Sequence, residues 1–183
     1  MDSDSPAHDI IVASTPEDRQ KCYDVRIQVF HHEQKFPLET EIDDNEDIAT
    51  HFLLRLNDAS RTPVGTIRLY QPPGASYWKL SRLAVLKDYR RFRFGRKLVE
   101  ALHAHLPIAW RQSGGAAAAP RERGAGAVGT AGGDSDSYIE IVAHSQIHAQ
   151  GFYAKFGYTP EGDQFDEDGD PHQKMVLRMP SSL

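Results

Sequence analysis

The apolar residues of the chain fall into short continuous or alternating runs, separated by stretches spaced for a helix. Asp9–Ser14 (DIIVAS) is an apolar run bounded by polar residues and predicts a first strand. Thr15-Pro16-Glu17-Asp18 reads as a helix start, with a capping hydroxyl, a proline suited to the first helical position and acids in the first turn. Cys22, Val25 and Val29 continue at spacings of three and four, giving one apolar face, and the helix should end near His31–Gln34, ahead of Pro37. Thr50–Asn57 and Pro63–Gln71 are rich in β-branched and apolar residues, and the turn-forming Asn57–Ser60 makes them a hairpin. Pro72-Pro73-Gly74 is a turn, and Tyr77–Leu86 is the next strand. Phe94–His105 predicts a helix, with Leu98, Leu102 and Leu106 on one face. Tyr138–Ala143 is a strand, Ser145–Phe156 a helix closed by Gly157 in a left-handed position, and Gln173–Met179 a last strand. The order β, α, β, β, β, α, β, α, β predicts an α/β (α+β) architecture with a mixed sheet, not a doubly wound parallel one.

Composition adds limits. At 183 residues the chain suits one domain over 1–183, with residues 1–8 as a flexible tail. Gln112–Ser137 is dominated by Gly, Ala and Ser and cannot bury enough apolar surface to offset the entropy of ordering. It is expected to be a flexible insertion. Leu38–Asp47 carries six acids, too many for a core element, and should lie near the surface as a loop or short helix. A net charge of −5 argues against a nucleic-acid partner. No apolar run approaches the roughly 18 residues of a membrane span, and the acidic, polar start is unlike a secretory or transit peptide. The single cysteine, Cys22, allows no intrachain disulfide and reads as a small core residue. Both fit the reducing cytoplasm or nucleus.

The strongest chemical signal is a strand, a basic loop and a helix start. Arg90-Arg91-Phe92-Arg93-Phe94-Gly95-Arg96-Lys97 holds five basic residues in eight. Unpaired N–H groups at a helix start and the helix dipole favour an anion, most readily a phosphate. Positive side chains there oppose the dipole, so their presence points to an anion between them. The alternative is a solvated basic face.

Leu83-Ala84-Val85, the basic turn and the helix after it resemble the acetyl-CoA-binding motif of the GNAT superfamily of N-acetyltransferases, Gln/Arg-x-x-Gly-x-Gly/Ala. Arg90 stands at its first position and Gly95 at its last, while Arg93 replaces the middle glycine. Phe152-Tyr153-Ala154-Lys155-Phe156-Gly157-Tyr158 is similar to the family's Phe-Tyr-x-Lys-x-Gly-Phe/Tyr segment. Further matches resemble the narrower ElaA-type branch, in its fungal type with a Gly/Ala-rich insertion. They are Val25-Arg26, Val29-Phe30, Glu33-Gln34 and Pro37, then Glu41, Asp43 and His51-Phe52, then Gln146 and His148, and lastly Glu167-Asp168-Gly169 with Pro171-His172 and Met175.

The resemblance implies the GNAT fold and direct attack of an amine on acetyl-CoA. It places Leu83, Ala84, Val85, Arg90, Arg91, Phe92, Arg93, Phe94, Gly95, Arg96, Gln146, Phe152 and Lys155 at the cofactor. Val85 N–H would polarise the thioester carbonyl, and Tyr153 would protonate the leaving thiolate. Glu33, His148 and Glu140 are candidate bases for the amine. Arg26, Gln34, Asp43, Asp47, Arg82 and His172 are placed at the acceptor side. An acidic wall would favour a small amine, a polyamine or a basic side chain. A non-catalytic CoA-binding module and a glucosamine-6-phosphate N-acetyltransferase remain as alternatives, and the chain would act as a monomer or homodimer. His144, His148 and His172 lack accompanying ligands at metal spacing, so no metal is expected.

Overall fold

The computed structural model describes residues 5–115 and 138–181. Residues 1–4 of the expected tail and 116–137 of the expected insertion lie outside the described residues. The elements in chain order are β1 (His8–Val12), α1 (Pro16–Arg26), β2 (Thr50–Leu56), β3 (Pro63–Tyr70), β4 (Tyr77–Val85), α2 (Phe94–Gln112), β5 (Tyr138–Gln146), α3 (Gln150–Ala154), β6 (Thr159–Pro160), β7 (Phe165–Glu167) and β8 (Asp170–Pro180). They form one eight-stranded sheet in the order β1-β2-β3-β4-β5-β8-β6, with β7 also on β8. Every pairing is antiparallel except β4 with β5.

The helices cover opposite faces. Successive strand residues point to opposite sides. On β2, Phe52 and Leu54 join the cluster of Leu98, Leu102 and Leu106 from α2, while Leu53 packs with Cys22 of α1. Each of those three α2 leucines is wholly buried, which stabilises the fold by about 1.5–3 kcal/mol apiece. Burial pushes the Cys22 thiol up to about 11, so it stays protonated in its apolar seat. Thr15 caps α1 by accepting the Asp18 N–H at 3.1 Å. The helix then widens into a π-helical turn over Ile27–Glu33, which turns Phe30 towards the cavity described below.

Four boundaries differ from the sequence reading. Residue 8 already belongs to the sheet, and Ala7 O accepts the Asn57 N–H at 2.8 Å. Helix α2 runs through Pro107 to Gln112, because Leu106 and Ala109 continue the buried face beyond it. Ser145 and Gln146 extend β5, where Gln146 pairs with His172, so the helix expected from Ser145 begins only after a 3-10 turn at Ile147–Ala149. Strand β8 starts three residues early, because Asp168 and Gly169 (φ 57° and 83°) form a two-residue hairpin turn that folds β7 onto it.

The acidic segment is only partly solvated: Glu39, Asp44 and Asp47 are exposed, and the other three acids are not. Glu41 and Glu46 are buried beneath Arg26 and Arg68. Arg26 donates to Glu46 through Nη1 and Nη2 (3.1 and 2.9 Å), and Arg68 Nη1 reaches Glu46 at 2.7 Å and Asp43 at 2.8 Å. Arg82 lies 3.4 Å from Asp43. Among the described residues, no helix is long and apolar enough to cross a membrane.

Candidate active site

The cavity arises where two strands part. Parallel pairing of β4 with β5 stops at Leu80 and Ala143, although both strands continue. The cause lies in β4. Its register against β3 slips between the pairs Arg68–Ser81 and Thr66–Ala84, a bulge in which Arg82 takes φ 53°. Beyond it β4 leaves β5, and Ser81–Val85 line a cavity of about 950 Å³. Leu86 N–H bonds to Val64 O of β3. Alternation therefore turns the amide of Val85 to the opposite edge, towards the gap.

One end of the cavity meets the start of α2. A 3-10 turn over Lys87–Phe92 leads to Arg93, which has φ 58° and precedes the helix without a side-chain cap. A glycine would adopt that left-handed conformation freely, whereas arginine is held there at a cost of about 1–2 kcal/mol. Arg93, Gly95, Arg96, Phe152 and Lys155 all line this end. Arg93 and Lys155 make no ion pair among the described residues, while Arg96 is bound to Glu100 at 2.7 Å. These helix N–H groups and free cations suit a pyrophosphate. Arg90 lines the same end but is held by its own chain. Its Nε donates to Val85 O at 2.9 Å, and both terminal nitrogens reach Glu33 at 2.7 Å. The other side chains expected at the cofactor face elsewhere: Phe94 is wholly buried in the core, and Arg91 lies over the Phe92 ring on the far side of the turn.

Tyr153 is buried, lines the cavity, and its hydroxyl has no protein hydrogen-bond partner among the described residues. Burial raises its pKa, so the phenol stays protonated and can donate. His148 and Gln146 share the wall, and Gln146 donates to Gln34 at 3.1 Å.

The three candidate bases fare differently. His148 reaches the cavity. Glu33 does not line it, and the hydrogen bonds from Arg90 hold its carboxyl below the ordinary value, which suits a structural ion pair rather than a proton acceptor. Glu140 is excluded from the cavity because it pairs with Tyr77, below the parting, and meets Arg178 at 2.9 Å.

Towards the other end, the cavity wall includes Gln34, Asp43, Arg82 and His172, four of the residues placed on the acceptor side from sequence. Arg26 does not: it is fully buried between Glu41 and Glu46. Asp47 points to solvent, 98% exposed and 3.8 Å from Arg19. With Asp43 held by Arg68 and Arg82, the acidic segment is not a free negative wall. Lys79 also lines this end. It has no carboxylate within 4 Å among the described residues, and burial lowers its pKa. His144 and Glu167 complete the wall, His144 Nδ1 lying 2.9 Å from Glu167 Oε2.

Residues 48–160, more than half of the chain, match the family model for the acetyltransferase (GNAT) domain. The chain belongs to the GNAT acetyltransferase family. It is similar to a candidate acetyltransferase of Bacillus subtilis, 28% identical over 172 residues that cover 93% of this chain and 96% of that one. The uncharacterised N-acetyltransferase YjcF of the same organism is 29% identical over 91% of this chain and 96% of its own. Among solved structures, a candidate N-acetyltransferase from Lactobacillus plantarum superposes with a TM-score of 0.69 at 25% identity, covering 94% of this chain and 99% of that one. Escherichia coli ElaA superposes with a TM-score of 0.67 at 20% identity, covering 92% and 97%, a likeness of fold.

Sequence reasoning overlooked Lys79 and the pairing of His144 with Glu167. A signal for His144 was present. Alternation along β5 puts it on the same face as Glu140 and Val142, one step further towards the parted end. Glu167 stands just before the Asp-Gly turn that fixes its register.

Proposed function

We propose that the chain is an N-acetyltransferase that moves the acetyl group of acetyl-CoA to a primary amine by direct attack in a ternary complex. The observation that carries this reading is the parted edge of β4, with an open helix start at one end of the cavity and an unpartnered tyrosine hydroxyl in its wall. Bound acetyl-CoA supplies the activated acetyl thioester. The β4 edge offers amides to an extended, amide-bearing arm, and the start of α2 with Arg93 and Lys155 offers donors and charge to its phosphates. Val85 N–H is the donor we assign to the thioester carbonyl. Tyr153, kept neutral by burial, donates its proton to the departing sulfur. Holding amine and thioester together supplies much of the rate. Because Asp43 is neutralised by arginines, the acceptor is defined by its free amine rather than by a high positive charge.

The test is thiol release, followed with a chromogenic disulfide. Release that requires both acetyl-CoA and an amine supports the reading. Tight CoA binding with no release across a broad amine panel overturns it in favour of a non-catalytic CoA-binding module.

A further inference from the structure

We propose that His144 is the general base that takes a proton from the acceptor ammonium, with Glu167 as the residue that positions it; this deepens, and rests on, the acetyltransferase reading above. His144 stands on β5 just past the point where β5 leaves β4, so its ring borders the cavity beside the open edge. Its Nδ1 lies 2.9 Å from Glu167 Oε2. Glu167 is ionised: burial, which raises its pKa, is outweighed by the hydrogen bond from His144 and by the nearby charge of Lys79. A carboxylate can only accept, so Nδ1 carries the hydrogen and the lone pair of the neutral ring is on Nε2.

The surroundings keep this arrangement in place. The Asp168-Gly169 turn fixes Glu167 in register, and the Phe165 ring meets the imidazole edge-on at 4.8 Å. Of the charged neighbours, Lys79 faces Glu167 from β4. His172 from β8 stacks on the Phe165 ring and also faces Glu167, and its Nδ1 is 2.8 Å from Asp170 O. Lys174, the cross-strand partner of His144, is bound to Glu161 at 3.3 Å. No other candidate base has this combination. His148 is exposed and has no carboxylate partner among the described residues, Glu33 is locked to Arg90, and Glu140 lies below the parting.

The step balances. His144 Nε2 takes one proton from the ammonium, freeing the nitrogen lone pair. The C–N bond forms as the C–S bond breaks. The sulfur takes the Tyr153 proton, which a second proton from nitrogen replaces, and His144 returns its own proton to water.

The test combines kinetics with a readout on the ligand-free protein. For the best amine, wild-type kcat/KM should rise with pH along one limb to a plateau. His144→Gln should lose about 10²–10⁴-fold and abolish that limb, with CoA affinity by calorimetry unchanged. Glu167→Gln should lower kcat/KM by at least about 10-fold with CoA affinity unchanged, because the ring loses the acceptor that holds its tautomer. Nitrogen NMR of the ligand-free wild type should place the neutral-ring hydrogen on Nδ1, and Glu167→Gln should mix the two tautomers. An unchanged limb in a folded, CoA-binding His144→Gln overturns the proposal. So does a wild-type ring protonated on Nε2. A wild type that turns over no amine instead refutes the acetyltransferase reading, and this proposal with it.

Discussion

Removing the charge of Glu46 should cost this protein a fifth or more of its stability. Its carboxylate receives two donors from Arg26 and one from Arg68, and its Oε2 lies 3.4 Å from His51 Nε2. Arg26 and Arg68 are 0% and 2% exposed. Three guanidiniums (Arg26, Arg68, Arg82) face three carboxylates (Glu41, Asp43, Glu46) in one cluster. Glu46→Gln keeps the shape, removes one negative charge and sets an amide donor against guanidinium donors. Breaking a buried pair in this way costs about 3–5 kcal/mol, against a typical total of about 5–15 kcal/mol. At a urea slope of about 2 kcal/mol per molar, the unfolding midpoint should fall by about 1.5–2.5 M at neutral pH. Glu33→Gln serves as the comparison, since its pair with Arg90 is far more exposed and should contribute no more than about 1 kcal/mol. If Glu46→Gln also shifts stability by less than about 1 kcal/mol, the cluster is not desolvated as the burial implies.

Arg93→Gly should relieve the left-handed cost of about 1–2 kcal/mol, offset by about 0.4–1 kcal/mol of added unfolded-state entropy. A melting point a few degrees higher, with several-fold weaker CoA binding by calorimetry, is expected; a fall in melting point would refute the conformational argument. His103, half-buried with its Nε2 2.9 Å from the Tyr158 hydroxyl, is pushed by burial down to about 4. The unfolded ring titrates near 6.5, so in that window the unfolded state binds the extra proton. This stability is fully present above pH 6.5 and is lost as pH falls towards 4, by up to about 3 kcal/mol, a loss that His103→Gln should remove from urea curves. Tyr153→Phe should lower kcat about 100-fold while leaving CoA affinity unchanged; equal activity would assign the thiolate proton to another donor.

What sequence revealed was what repeats locally. The hairpin of β2 and β3, the leucine face of α2 and the Thr15 cap depend on neighbours a few residues away, and each stands where the pattern put it. Gly157, with φ 88°, likewise ends the α3 region as its residue type suggests. Tertiary partners hid the rest. Ser145 and Gln146 looked like a helix start, but pairing with Gln173 and His172 of β8 keeps them in the sheet. The charges of Leu38–Asp47 looked solvated because Arg26 and Arg68, which neutralise them, lie some twenty residues away on either side. The same distance concealed the contact of His144 with Glu167, and it sent Arg26 and Asp47 to an acceptor wall that neither reaches.

The parting of β4 from β5 also divides the sheet mechanically. Strands β5 and β8 share nine register pairs, whereas β4 and β5 share four, Tyr77–Leu80 against Glu140–Ala143. Beyond that short seam the two arms carry opposite walls of one cavity, with Ser81–Val85 on one and His144 and Gln146 on the other. The seam is thus the least stiff line among the long strands of the sheet. A ligand spanning the arms acts as a brace: it ties them together where hydrogen bonds between strands do not.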